Sequence, residues 1–276
     1  MSPPNTISSD KLNRLIGTPA APIVIDVRDE VDFETDPRLV PASARKTSAT
    51  VTDWATDYSG KTVVALCKCG AKLSHGVAAH LRHAGANAVS LEDGFEGWKA
   101  AGLHLVPIAK LPQCDALGRT IWVTRSRPKV DRIACPWLIR RFVDPEAVFL
   151  FVPTSEVKGV AERFGATPFD IEDTFWSHKG ELCTFDVMLD ELGLQTAPLL
   201  RLATIVRGAD TARLDLAPEA AGLLAASPGL SRIHSDDLEQ LQAGMLLYDA
   251  FYRWCRDATE ETHNWPTNKV KNLSYV

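Results

Sequence analysis

The residues most able to do chemistry lie in Val63-Val64-Ala65-Leu66-Cys67-Lys68-Cys69-Gly70-Ala71-Lys72-Leu73-Ser74. An apolar run ends on Cys67, a loop with one glycine follows, and Ser74 opens a helical pattern with Val77, Ala78, Leu81 and Ala84. This pattern describes a buried strand, a tight loop and a helix, with a thiol at the turn. Backbone N–H groups in such a loop point inward, and the helix N-terminus adds positive potential. Both favour a thiolate and mark Cys67 as a nucleophile. The competing reading is packing, because a cysteine at a strand end is often buried as a small apolar residue. His75, His80 and His83 fall beside the apolar face of the following helix, which reads as a solvated face rather than a metal site.

Two further constellations carry charge. Residues 125–141 hold Arg125, Arg127, Lys129, Arg132, Arg140 and Arg141 against the single acid Asp131. Such a cluster suits an oxyanion or phosphate, with Arg132 and Arg140 as candidates, or else it is a helix rim paired with acids elsewhere. The segment Phe175 to Asp186 is dense in His, Glu, Cys and Asp. His178, Glu181, Asp186 and the later Asp210 offer nitrogen and oxygen ligands, but their spacing matches no compact metal motif. A polar network around a core histidine is the alternative, and a metal in this half is left open.

The elements that must position these groups alternate. Ser8 or Ser9 caps a short helix carrying Leu12, Leu15 and Ile16, stopped at Gly17. Ile23 to Arg28 is a continuous apolar run ending in two charges, the mark of a strand covered on both faces. Val31–Glu34 is a helical turn and residues 36–53 are mostly loop. Trp54 and Tyr58 pack a short helix. Strand 62–66, the Cys67 loop and helix 74–84 follow, then Gly85, strand 88–91 and a short helix ending at Gly102. Strands alternating with helices imply a parallel, doubly wound sheet, whose reactive residues sit at the carboxyl ends of strands. Residues 109–118 read as a stiff linker with two prolines. Beyond it, strands are expected at 119–124 and 147–152, a helix from Val130 to Phe142 with Pro136 inside it, and a helix capped by Ser155 and ending at Gly165. From Phe185 the chain reads as mostly helical, with Gly193 and Gly208 as stops and Pro218 in a first turn. The helix 236–257 is strongly amphipathic, a core helix or a dimer face.

Ile25-Asp26-Val27-Arg28, the Cys67 loop and Leu91-Glu92-Asp93-Gly94-Phe95-Glu96-Gly97-Trp98 together resemble a rhodanese-like sulfurtransferase domain over roughly residues 5–108. The resemblance implies a cysteine that takes a sulfane sulfur, becomes a persulfide and passes the sulfur to a nucleophilic acceptor. Cys67 matches the catalytic cysteine. Lys68, Cys69, Gly70, Ala71 and Lys72 match the loop that cradles the persulfide, and Asp26 with Arg28 matches the pair that braces it. Cys69 is then a loop residue, a sulfur acceptor or a disulfide partner, although an i,i+2 bridge to Cys67 closes a strained ring. Lys72 stands where the family often has arginine, giving a point charge instead of a bidentate fork. The family's Gly-His-Ile-Pro-Gly-Ala-like segment is replaced by Asp36 to Ala44.

Residues 119–262 resemble the C-terminal domain of ChrB-type chromate-resistance proteins. The resemblance is carried by Asp131 to Phe142, His178 with Cys183-Thr184-Phe185, and Ile205 to Asp210. It implies a context of chromate resistance and its regulation. The expected architecture is therefore α/β: a rhodanese-like doubly wound parallel sheet over 5–108, a linker over 109–118, a mostly α-helical α+β second domain over 119–262, and a tail over 263–276. The expected activity is sulfur transfer through Cys67, needing no cofactor, from a small sulfur donor to a thiol or cyanide-like acceptor. The alternative is a thiol-based redox or chromate sensor acting through the second domain.

Composition reads as that of a globular, soluble chain. The chain has 276 residues, 45% hydrophobic and 24% charged, with net charge −5. That balance argues against a general nucleic-acid or membrane binder. No run approaches the ~18 apolar residues of a membrane span. The first residues carry no basic segment followed by an apolar one, so no signal peptide is expected. Six cysteines at irregular spacing exclude a secreted disulfide framework. The expected setting is cytoplasmic, with reduced thiols.

Overall fold

The computed structural model describes residues 5–261, so the expected tail 263–276 and residue 262 lie outside the described residues. The N-terminal half starts with β1 (Thr6–Ile7) and α1 (Ser9–Leu15), whose N-cap Ser8 accepts from the Lys11 N–H. Next come β2 (Ile23–Asp26), α2 (Glu30–Thr35), β3 (Arg38–Leu39), β4 (Ser43–Arg45) and α3 (Val51–Trp54). Then follow β5 (Thr62–Leu66), α4 (Lys72–His83), β6 (Asn87–Leu91) and α5 (Gly94–Ala100). Five of these strands form one parallel sheet in the order β1-β6-β5-β2-β4. Val24, Ile25 and Val63 to Leu66 are all at most 1% exposed, which explains why β2 and β5 read as unbroken apolar runs.

β7 (Val106–Pro107) pairs antiparallel with β3, so the stretch before the expected linker returns to the first half. β8 (Ile121–Arg125), α6 (Asp131–Phe142), β9 (Val148–Val152), α7 (Val157–Phe164) and β10 (Thr167–Pro168) build a second parallel sheet, ordered β10-β8-β9. Four helices follow to the end of the described residues: α8 (Thr184–Glu191), α9 (Ala197–Asp210), α10 (Ala220–Ile233) and α11 (Asp237–Asp257). The expected α/β class, with a parallel sheet first and a helix-rich second half, is the architecture observed.

Several local readings need correction. Residues 36–53 are not mostly loop: β4 extends the main sheet beside β2, hidden from pattern reading because Ser43-Ala44-Arg45 is short and polar. The strand expected over Ile23 to Arg28, β2, stops at Asp26, whose side chain accepts the Arg28 N–H. Gly208 does not stop a helix. It lies inside α9, where a β-carbon would come 2.9 Å from that of Ala220, so its bareness allows close packing against α10. Pro218 precedes α10 instead of lying in its first turn, and Ser155 sits in a 3-10 turn before α7 without capping it.

The two halves share one contiguous buried cluster, running from Leu12, Trp98 and Leu105 to Trp137, Phe185 and Tyr248. The Ala42 N–H donates to the Phe142 carbonyl at 2.8 Å. Gly17, at φ +78°, lies so close to the Phe142 ring that a β-carbon there would overlap it. The stripe Leu241, Met245, Tyr248, Tyr252 and Cys255 of α11 is buried inside the chain, so this helix serves the core. Phe142→Ala should therefore destabilise the whole molecule by about 3–5 kcal/mol. Urea unfolding followed by fluorescence should show one cooperative transition at lower denaturant, and an unchanged midpoint would contradict the shared core.

Candidate functional site

Cys67 follows β5 directly and is 5% exposed. Its Sγ accepts the Ala71 N–H at 3.3 Å and lies 3.2 Å from the Ser74 hydroxyl. Ser74 also donates to the Ala71 carbonyl. No side chain caps α4, so its open N-terminus faces the thiol. The sequence placed Ser74 at the start of this helix; the helix begins earlier, at Lys72.

The loop is held from behind by α5. The Phe95 N–H bonds the Cys67 carbonyl and the Glu96 N–H bonds the Lys68 carbonyl, both at 2.9 Å. Gly70 and Gly94 both have positive φ, +61° and +58°, and their backbones nearly touch. A β-carbon on Gly70 would come 2.6 Å from the Gly94 nitrogen, and one on Gly94 would overlap the Cys67 carbonyl. The motif Gly94 to Trp98 thus acts as the rear wall of the thiol loop.

Asp26 and Arg28 brace this arrangement without touching the thiol. Their side chains are fully buried, with Arg28 Nε 2.8 Å from Asp26 Oδ2. Arg28 also donates to the carbonyls of Asp36 and Arg38, and its guanidinium lies 3.8 Å from the Phe95 ring centre. Lys68 turns outward to Asp32 of α2 at 2.9 Å. Lys72 and Cys69 are exposed, and no ion pair among the described residues engages Lys72.

The second constellation differs from its sequence reading. His178 Nε2 lies 3.5 Å from Asp131, 3.4 Å from Asp170 and 3.2 Å from Asp210. Of these three acids, the sequence points to Asp210 as a ligand and not to Asp131 or Asp170. Asp186 lies elsewhere, bonding the Cys183 N–H and pairing with Arg207 at 2.7 Å. Glu181 pairs with Arg213 on the surface. His178 is 39% exposed at its side chain, so it is not a core histidine. The missed signal was topological: Asp170 follows β10, and Arg125 ends β8, the carboxyl ends of neighbouring parallel strands.

The basic cluster is dispersed by its partners. Arg125 and Arg132 both engage Asp170, Arg127 bonds the Ser231 carbonyl, and Arg141 binds Asp249. Arg140 donates to the Ala147 carbonyl and rests on Phe149, away from Arg132's acid partner. The structure does not join Arg132 and Arg140 into one anion cradle.

Burial and neighbouring acids push Asp131 well above the usual carboxylate range. Burial pushes Asp170 the same way, but the His178 hydrogen bond and Arg125 with Arg132 outweigh it and hold Asp170 low. His178 itself is pushed up to about 10, chiefly by Asp170 and then Asp210. Burial raises the Cys135 and Cys183 thiols strongly, which makes both inert.

The family model of the rhodanese-like domain matches residues 8–101. That of the ChrB C-terminal domain matches residues 122–255. Protein ChrB of Cupriavidus metallidurans is 35% identical over 133 residues, covering 48% of this chain and 39% of that protein. The chain thus spans about two fifths of that relative's length. A rhodanese-related protein from Thermoplasma volcanium is 21% identical over 37% of this chain and 97% of its own, with a TM-score of 0.32. A thiosulfate sulfurtransferase from Pseudomonas aeruginosa is 19% identical over 37% of this chain and 19% of its own, with a TM-score of 0.31.

Two outcomes are expected. Gly94→Ala should lower stability by roughly 1–3 kcal/mol, because a residue with a side chain is strained at this φ and displaces the Cys67 carbonyl. Urea unfolding would read it, and a silent substitution would mean the rear wall is not needed. Protonated His178 should stabilise the metal-free fold, fully below about pH 6.5, progressively less above it, and not at all beyond about pH 10. The stability gap between wild type and His178→Gln should therefore close as pH rises from 6 to 10; a gap that widens would reverse the sign.

Proposed function

From a chain that joins a rhodanese-like domain over 8–101 to a ChrB C-terminal domain over 122–255, we propose a sulfurtransferase that carries sulfane sulfur on Cys67. The observation that carries this reading is the buried Sγ held by the Ala71 N–H and the Ser74 hydroxyl at the open end of α4. The Cys67 thiolate attacks the outer sulfur of a donor such as thiosulfate. A bond forms between Sγ and that sulfur, the donor's sulfur–sulfur bond breaks, and sulfite leaves with the electron pair. The outer sulfur of the persulfide is then attacked by an acceptor thiolate or cyanide, and Cys67 is released as thiolate.

The loop suits both steps. Backbone N–H groups and the helix N-terminus stabilise negative charge on either sulfur without supplying a proton. Lys72 at the rim offers one free cation to an anionic donor. Lys68 is turned to Asp32 and leaves the donor side to Lys72. Asp26 and Arg28 act as positioning residues, through Phe95 and the Cys67 carbonyl. Solvent-exposed Cys69 can serve as an internal acceptor only by leaving the strained i,i+2 geometry, so an external thiol is the acceptor this loop favours. The C-terminal match sets this chemistry in the context of chromate or other oxyanion stress. No helix among the described residues is long and apolar enough to cross a membrane.

Incubation with thiosulfate followed by intact-mass measurement should add one sulfur atom to the wild type and none to Cys67→Ser. With cyanide as acceptor, thiocyanate should form only with Cys67 present. Lys72→Ala should lower kcat/KM for thiosulfate about tenfold, the size of one charge-assisted contact, mainly through KM. Failure to gain sulfur from thiosulfate, polysulfide or a low-molecular-weight persulfide would remove the enzyme reading.

A further inference from the structure

We propose that Asp131, Asp170 and His178 form a binding site for a divalent first-row transition cation. Their ligand atoms lie within 4.8 Å of one another. His178 Nε2 stands 3.4 to 3.5 Å from the Asp170 and Asp131 oxygens, and 3.2 Å from Asp210. Ligands around a cation at about 2.1 Å, in tetrahedral array, are about 3.4 Å apart. The same contacts are longer than the roughly 2.7–2.9 Å of close charge-assisted hydrogen bonds. A single Nε2 proton also cannot serve three carboxylates, whereas a divalent cation can.

A second observation points the same way. Asp131 is 0% exposed. One of its oxygens takes the Thr184 N–H at 2.6 Å, and the other, Oδ1, has no hydrogen-bond partner. A fully buried carboxylate beside Asp170 and Asp210, with one oxygen unused and only the shared His178 imidazole as a cationic neighbour, has a place for a further positive partner. The nearby guanidinium groups do not supply it, because Arg125 and Arg132 both turn to Asp170. The place in the fold is that of a ligand site. Strand order reverses at β8, with β9 on one side and β10 on the other, and Asp170 follows β10. Asp170 and His178 line a cleft open to solvent, with Thr154, Lys158 and Ser177, which provides an entry path.

The donor set selects the class. One imidazole nitrogen with carboxylate oxygens suits manganese, iron, cobalt or zinc, while calcium and magnesium favour all-oxygen shells. No thiol is among the three converging groups, and the Cys183 Sγ donates to Asp186 at 3.2 Å. Asp210, whose Oδ2 faces the same Nε2 at 3.2 Å, is placed to complete the shell.

The test uses the full chain, stripped with chelator and titrated with Mn2+ followed by electron paramagnetic resonance, then with Co2+ followed by visible absorption. One Mn2+ per chain is expected. Affinity should fall at least about tenfold in His178→Ala and Asp170→Asn and stay unchanged in Asp186→Asn. His178 is partly exposed, so its variant keeps a readout even where Asp170→Asn fails to fold. Cys67→Ser should bind the metal as wild type does, which separates this site from sulfur transfer. Wild type binding no more Mn2+ or Co2+ than His178→Ala would overturn the proposal, as would equal loss in Asp186→Asn.

Discussion

In a parallel sheet each strand is reached by a crossover, and right-handed crossovers leaving one strand in opposite directions put their helices on opposite faces. Between them, at the carboxyl ends, the strands part without a covering helix. The main sheet reverses between β2 and β5, where Asp26, Arg28 and Cys67 lie. The smaller sheet reverses at β8, between Arg125 and Asp170. Both candidate sites therefore come from the same constraint, and the surrounding packing serves to hold those two crevices open and oriented.

The two crevices are held by different forces. Around Cys67 the polarity comes from the Ala71 N–H and the open end of α4, in a loop pinned by hydrogen bonds from α5 and unable to rearrange around a changing charge. Arg28 is neutralised by Asp26 and points its remaining donors at carbonyls, so its charge stays away from the thiol. Around His178 the polarity comes from side-chain charges taken out of water. Two guanidinium groups meet one carboxylate, and the fully buried Asp131 has none. Such an arrangement is costly unless something positive compensates it. The proton that His178 holds up to about pH 10 does so in part.

Strong local signals made the first site readable from sequence. An apolar run, a cysteine, a glycine with positive φ and a helix follow one another, so neighbours in sequence are neighbours in space. The rear wall was legible as a motif, but its mechanical role was not. That role depends on Gly70 and Gly94 meeting across 24 positions of chain, which no local pattern reports. The second site was half legible. His178 and Asp210 stand out by type, whereas Asp131 reads as the single acid of a basic segment and nothing in the local pattern marks Asp170. Their convergence follows from the pairing of β10 with β8, and a two-residue strand containing proline gives little sign of itself. The basic segment misled for the same reason: its partners, Asp170, Asp237 and Asp249, are remote in sequence.

The connection between the halves bears on which function the fold suits. From Cys67 the contacts pass through Phe95 to Arg28, then to the carbonyls of Asp36 and Arg38. A few residues on, the Ala42 N–H holds the Phe142 carbonyl at the end of α6, whose first residue is Asp131. A sensor needs an element with two arrangements that ligand or oxidation can bias. This path is made of buried side chains and main-chain hydrogen bonds inside one apolar cluster, and such packing resists hinge motion. A sulfur carrier needs one arrangement held still, with the thiol fixed against its N–H donors. The shared core therefore agrees better with the proposed transfer chemistry at Cys67 than with a signal passed between the halves, and under that proposal the second crevice acts independently of the thiol.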